Sequence, residues 1–269
     1  YACDRFKSDI SGAGTWSIAQ STTVPSGKGF KNSVKLDCTT ANGSLSSGAY
    51  FIYQQRIEGH NLQKLAFGTS DAKPIVLSFY VKSNKTGTYH VGLFNNDNSR
   101  MNGRTYTIDS ANTWEFKSIS FDADTSQGFT DDTTHGLMLE FWLVGGTDYT
   151  SGSTPTAWTA SDNTIRAGGL AVNLADSTDN EWLLTGVQLE IGQNPTEFEH
   201  EPFERTLGKC QRYFQKIESL GSVGSYNAFP YTGLSRTSTI GKVSLGWITQ
   251  LRAAPTITTT AANTFAIVN

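Results

Sequence analysis

Hydrophobic and polar residues alternate along much of the first 190 positions, while sustained helical periodicity is scarce. The clearest run is Ile75 to Val81, where Ile75, Leu77, Phe79 and Val81 share one face and Tyr80 takes the other. Tyr89, Val91 and Leu93 repeat the pattern after a Lys-Thr-Gly turn and leave His90 and Phe94 opposite. From Leu137 to Val144, Leu137, Leu139, Phe141 and Leu143 point one way and Met138, Glu140 and Trp142 the other. Val187, Leu189 and Ile191 then alternate with Gln188 and Glu190. This is the period of strands with one face in a core. Val34 to Cys38 and Tyr50 to Ile57 alternate as well, and the Ser/Gly/Asn stretch between them predicts antiparallel neighbours. Weaker strands are predicted at Asp4 to Phe6, Thr15 to Ala19 and Trp114 to Phe121. Leu62, Leu65 and Ala66 predict one or two helical turns within Glu58 to Phe67, stopped by Gly68.

About nine strands at hairpin-like spacing, with no βαβ alternation, predict an all-β fold. Its expected form is an antiparallel β-sandwich, with the jelly roll as leading candidate, followed by a smaller β-rich C-terminal region. The sandwich is assigned to 1–198, a connecting helix or strand segment to 199–218, and the β-rich region to 219–269. Gly186 to Lys216 is the boundary. Its strand is ended by Gly192, Asn194 and Pro195, and Phe203, Leu207 and Cys210 then recur at helical spacing around Gly208. Strands are also predicted at Gln211 to Ser219, Val243 to Ile248 and Thr256 to Thr260. So thin a second core is expected to lean on the first domain or on other chains. Gly145 to Asn180 is the longest irregular stretch, of a length that calls for ordering by function or packing.

Composition narrows the partners. The net charge of −3 comes from interspersed acids and bases, so nucleic acid and anionic membranes are not expected partners. No stretch is apolar for long enough to span a membrane. Cys3, Cys38 and Cys210 are too few for a disulfide scaffold, and Cys38 shares the apolar face of Val34 and Leu36. It is expected to be a buried free thiol, in a protein assembled in a reducing cytoplasm.

Catalytic patterns are scarce. His60, His90, His135 and His200 have no metal-ligand spacing, and no nucleophile elbow, phosphate loop or dinucleotide fingerprint occurs. No catalytic residue, metal or cofactor is assigned. Glu140 and Glu190 both leave the core face of strong strands, so a hydrolytic pair on one surface is a minor alternative. The Asp-rich stretch from Asp122 to Asp132 is a solvated loop or, as the lesser alternative, a Ca²⁺ site. The richer signal is aromatic. Tyr80, His90, Phe94 and Trp142, with Glu140 and Gln188 and with Gln54 and Arg56 nearby, are predicted on one outward face. Rings that stack on pyranose faces beside groups that bind hydroxyls make a sugar platform. The competing expectation, given more weight, is that the long 145–180 loop, the C-terminal unit or a neighbouring subunit covers this face.

Five segments carry a resemblance: YACDRF, IVLSFYVKS, NTWEFKSISF, NEWLLTGVQLEIG and PTEFEHEPFERTLGKCQRYFQK. Together they resemble tail-fibre and related structural proteins of tailed bacteriophages and prophages, across most of residues 1 to 218. The most specific part is a TGVQLE.G strand, a P..FE exit and an L..CQRY(Y/F) segment in that order, followed here by RAAPTIT at Arg252 to Thr258. The resemblance implies a jelly roll of the carbohydrate-binding-module type within a virion structural protein. It implies a tail or capsid fibre subunit that attaches to the host surface. A homotrimer assembled with other virion proteins is the expected state, with a host glycan as a possible ligand. Family chains usually have a strand before the DRF segment and continue past RAAPT, so both ends are expected to be incomplete.

Overall fold

The computed structural model describes residues 6–215, 233–237, 240–243 and 248–254. The chain divides into two compact units, residues 1–199 and 200–269. The first is an antiparallel β-sandwich of jelly-roll type, as the alternation predicts.

One sheet has six strands: β1 (Phe6–Ser11), β4 (Tyr50–Glu58), β6 (Gly87–Asn95), β7 (Arg100–Ile108), β9 (His135–Gly145) and the short β10 (Thr159–Ala160). They lie in the order β1, β4, β9, β6, β7, β10. The other sheet orders β2 (Thr15–Ser21), β3 (Ser33–Thr40), β11 (Glu181–Ile191), β5 (Ile75–Ser83) and β8 (Glu115–Phe121) as β2, β3, β11, β5, β8. The inward residues expected of β5, β6 and β9 meet between the sheets, as do Val187 and Leu189 of β11, whereas Ile191 at the end of that strand is exposed rather than in the core. Aromatic side chains bridge the middle of this core. Phe141 lies 5.1 Å from Phe79 and 5.6 Å from Trp182, and Trp182 in turn meets Tyr53 edge-on at 6.2 Å. Cys38 is buried and unpaired.

One expected pairing is corrected. β3 and β4 are not neighbours: β3 has both edges taken by β2 and β11, and β4 by β1 and β9. A strand has only two hydrogen-bonding edges. The connection between them therefore crosses from one sheet to the other, tied by Asn42, whose side chain donates to the Gly12 carbonyl at 2.8 Å. The turn after β5 likewise leads into the opposite sheet, where β6 pairs with β7 and β9. The helical turns after β4 are two 3₁₀ turns, Gly59–Asn61 and Gln63–Leu65. β7 and β10 were not expected from the sequence.

β11 contains a bulge. Thr185 stands opposite Tyr80 and Gln188 opposite Ser78, so Gly186 and Val187 together face Phe79. Gly186 has φ +61°, a conformation natural to glycine. The extra residue switches the parity of the apolar positions, so that Trp182 and Leu184 before it and Val187 and Leu189 after it all reach the core.

Within the second unit, α2 (Phe203–Gln211) follows Pro202 and contains Gly208, with Lys209 paired to Glu201. A turn at Arg212 and Tyr213 replaces the start of the strand expected from Gln211. β12 (Gly233–Thr237) pairs with β13 (Ile240–Val243). β13 ends where the strand expected over Val243 to Ile248 was to begin. Thr256 to Thr260, Cys3, and Asp4 and Arg5 of the first expected strand lie outside the described residues.

Candidate functional site

The six predicted surface residues fall on two outward faces. His90, Phe94, Glu140 and Trp142 project from β6 and β9 of the six-stranded sheet, whereas Tyr80 and Gln188 project from β5 and β11 of the other. Alternation tells inward from outward, but a sandwich has two outward faces. Glu140 and Glu190 are separated in the same way, so the two carboxylates do not share a surface.

The six-stranded face is closed by the stretch from Gly146 onward. It contains α1 (Thr147–Thr150), β10 and two 3₁₀ turns. Tyr149, Ile165, Ala167 and Leu170 pack over Ile52, Trp142, Phe94, Met101 and Met138. Further on, Val172, Leu174 and Ala175 enter the main core. Arg166 is the centre of the closure. Its Nε donates to Glu140 Oε2 at 3.2 Å and its Nη2 to Oε1, while the guanidinium carbon lies 4.4 Å from the centroid of the Phe94 ring. Trp142 Nε1 donates to the same Oε2 at 3.2 Å. Trp142 is 0% exposed and Glu140 2%. The long loop is therefore ordered by packing, and the four residues beneath it are filled by the protein's own arginine.

His90 pins the same cover. Its Nδ1–H donates to the Gly168 carbonyl at 2.8 Å, and Thr154 Oγ1 donates to that carbonyl at 2.7 Å. Nε2 has no hydrogen-bond partner. Burial lowers the imidazole pKa to about 4, against the raising effect of the Gly168 bond. The ring fits because two paired glycines, Gly92 and Gly103, lie beneath it. A Cβ on Gly103 would come within 2.6 Å of His90 Cε1. Gly103→Ala is thus expected to cost about 1–3 kcal/mol through overpacking, read as a lower urea midpoint with an unchanged slope. An unchanged midpoint would show that the ring can move aside.

The face of the five-stranded sheet is different. Phe198, Phe30, Tyr80 and Phe116 form a continuous aromatic row, with successive centroid separations of 5.0, 5.7 and 5.0 Å. Tyr80 and Phe116 are directly opposed on β5 and β8, and Phe116 is 48% exposed. Phe30 arrives on a loop and lies flat against the bulge, where a Cβ on Gly186 would stand 2.5 Å from its Cζ. Thr185 Oγ1 ties that loop down by donating to the Asn32 carbonyl at 2.9 Å. Gln188 fixes the segment that carries Phe198. It accepts from Glu199 N–H at 2.8 Å and donates to Thr196 Oγ1 at 3.1 Å. Burial alone would raise the Glu190 pKa. Bonds from the Thr196 backbone and hydroxyl and from Gln188 outweigh it and hold the carboxyl below its usual value.

Neither a family model nor a curated protein matches the chain. Solved structures do. The enzymatically active domain of tailspike protein 4 from bacteriophage CBA120 is 12% identical, with a TM-score of 0.39. The match covers 70% of this chain and 19% of that one. The family 11 carbohydrate-binding module of Lic26A-Cel5E from Clostridium thermocellum is 11% identical over 71% of this chain and 90% of that one, at TM-score 0.35. A CBM4 structure is 10% identical over 67% and 81%, at TM-score 0.34. This chain thus spans about a fifth of the tailspike structure and most of each module.

The Asp-rich loop has no cation cage. Asp124 is buried and held by Arg100 through bonds of 2.6 and 3.2 Å, and Asp132 accepts from the Thr134 N–H and hydroxyl. Among the described residues, no group of three or more His, Cys, Asp and Glu side chains is placed to hold a metal ion. Phe30, Phe116, Phe198 and Arg166 were absent from the sequence-based set.

Proposed function

We propose that the sandwich is a display module of a phage-type fibre protein and contacts cell-surface glycan through the aromatic row of its five-stranded sheet. The observation that carries this reading is the pair of half-buried Tyr80 and exposed Phe116, backed by Phe30 and flanked by Thr185 and Gln188. Adjacent rings on a sheet offer flat apolar surface to sugar rings, and the Tyr80 hydroxyl is of the kind that bonds sugar hydroxyls. The fibre assignment rests on the motif order across Gly186 to Lys216. It carries with it a virion location, assembly in the bacterial cytoplasm and a homotrimer packed with other virion proteins.

The reading is one of binding, not hydrolysis. Glu140 is occupied by Arg166 and Trp142, and Glu190 by Thr196 and Gln188, on opposite faces of the sandwich.

Phe116→Ala is expected to weaken glycan retention about tenfold, or ~1.4 kcal/mol, while leaving the urea midpoint nearly unchanged. Affinity electrophoresis through surface polysaccharides of bacterial hosts reads this directly. Absence of retention by any polysaccharide would remove the glycan reading. Native mass spectrometry tests the fibre assignment, and a monomer at all concentrations would count against it.

A further inference from the structure

Charge on the five-stranded face is unevenly satisfied. Most basic side chains of the described sandwich hold ion pairs, among them Lys35 with Glu181, Arg100 with Asp124 and Arg166 with Glu140. The exceptions are Lys28, Lys31, Arg56, Lys64, Lys73 and Lys82. Half of these border the aromatic row. Lys28 and Lys31 are exposed on the loop that carries Phe30, and Lys82 follows Tyr80 by two residues, hence on the same side of β5.

The carboxylates nearby do not neutralise them. Glu181 and Asp37 both pair with Lys35. Glu190 is held by Thr196 and Gln188. Glu115, beside Phe116, pairs with Lys117, and Glu197 and Glu199 flank Phe198 at the opposite end of the row, while the lysines without a carboxylate border its middle. A lysine without a carboxylate, beside an exposed ring, is suited to a ligand that presents both a sugar face and a negative charge.

We infer that the glycan taken by this face is anionic, a uronate-type polysaccharide. Its sugar rings stack on Tyr80 and Phe116, and its carboxylates meet Lys82 and Lys31. This rests on the glycan-binding reading above and adds the ligand's charge class to it.

The test uses the whole chain with length-matched pairs of oligosaccharides that differ in the C6 carboxylate: oligogalacturonate against oligogalactose, and oligoglucuronate against oligoglucose. Titration calorimetry at 50 and 300 mM salt is expected to show the uronates bound at least about tenfold more tightly at low salt, with the preference shrinking at high salt. The double variant Lys31→Gln and Lys82→Gln should lose the preference while keeping the affinity for neutral sugar and the urea midpoint. Phe116→Ala should weaken both classes. Neutral oligosaccharides bound as tightly as uronates, or a preference that survives the double lysine variant, would overturn the anionic assignment and leave the glycan reading standing. Binding to neither class would overturn both.

Discussion

Arg166→Ala is expected to lower the stability of the sandwich by about 3–5 kcal/mol, because it leaves the Glu140 carboxylate buried with no cation. Glu140 is 2% exposed, and its remaining side-chain donor is the indole of Trp142. The same change takes the guanidinium off the Phe94 ring and opens space beneath the cover. Urea unfolding followed by tryptophan fluorescence measures the loss. The double variant Arg166→Met and Glu140→Gln, which removes both charges, should recover much of it. A single-variant loss below about 1 kcal/mol would show that water reaches Glu140 and that the closure is looser than the burial implies.

Acid should weaken the sandwich through His90. Its folded pKa of about 4 lies below the ordinary 6.5, so between these values the unfolded chain binds a proton that the folded chain does not. Stability therefore rises with pH across that window. It is fully present above about 6.5 and is lost as pH falls toward 4, for a total on the order of 3 kcal/mol from this one group. The geometry gives the reason: Nδ1 already donates to Gly168, and a proton on Nε2 would sit buried with no acceptor. Carboxylates add their own acid dependence, so the informative quantity is the difference between the wild type and His90→Gln. The variant's stability curve should be flatter between pH 6.5 and 4. Parallel curves would place His90 in contact with solvent.

The inward and outward assignments of β5, β6 and β9, and of Val187 and Leu189 in β11, were legible because period-2 alternation is a local property. Which sheet each strand joins is not local. β5 and β6 are separated by only three residues, yet β5 pairs with β8 and β11 and β6 with β7 and β9, so Tyr80 and His90, alike in local pattern, lie on different faces. Arg166 was hidden for another reason: it lies in an aperiodic stretch, where no face can be assigned. The available signal was Glu140, an acid placed beside Trp142 and Met138 on an outward face rich in large apolar groups. β7 escaped notice because its sequence, RMNGRTYTI, interrupts the apolar alternation with Asn102, Gly103 and Arg104. The bulge was not expected either, although its trace in the chain is the change of parity from Trp182 and Leu184 to Val187 and Leu189.

That bulge gives the strand an unusual tolerance to change in length. In most strands the loss of one codon turns every later side chain to the wrong face. At position 186 it would instead restore one-to-one pairing, with Val187 alone opposite Phe79 and Gln188 still opposite Ser78. The core would survive, but the flat landing for Phe30 would not. Gene variants one codon shorter at this point should therefore fold, and should lose glycan retention.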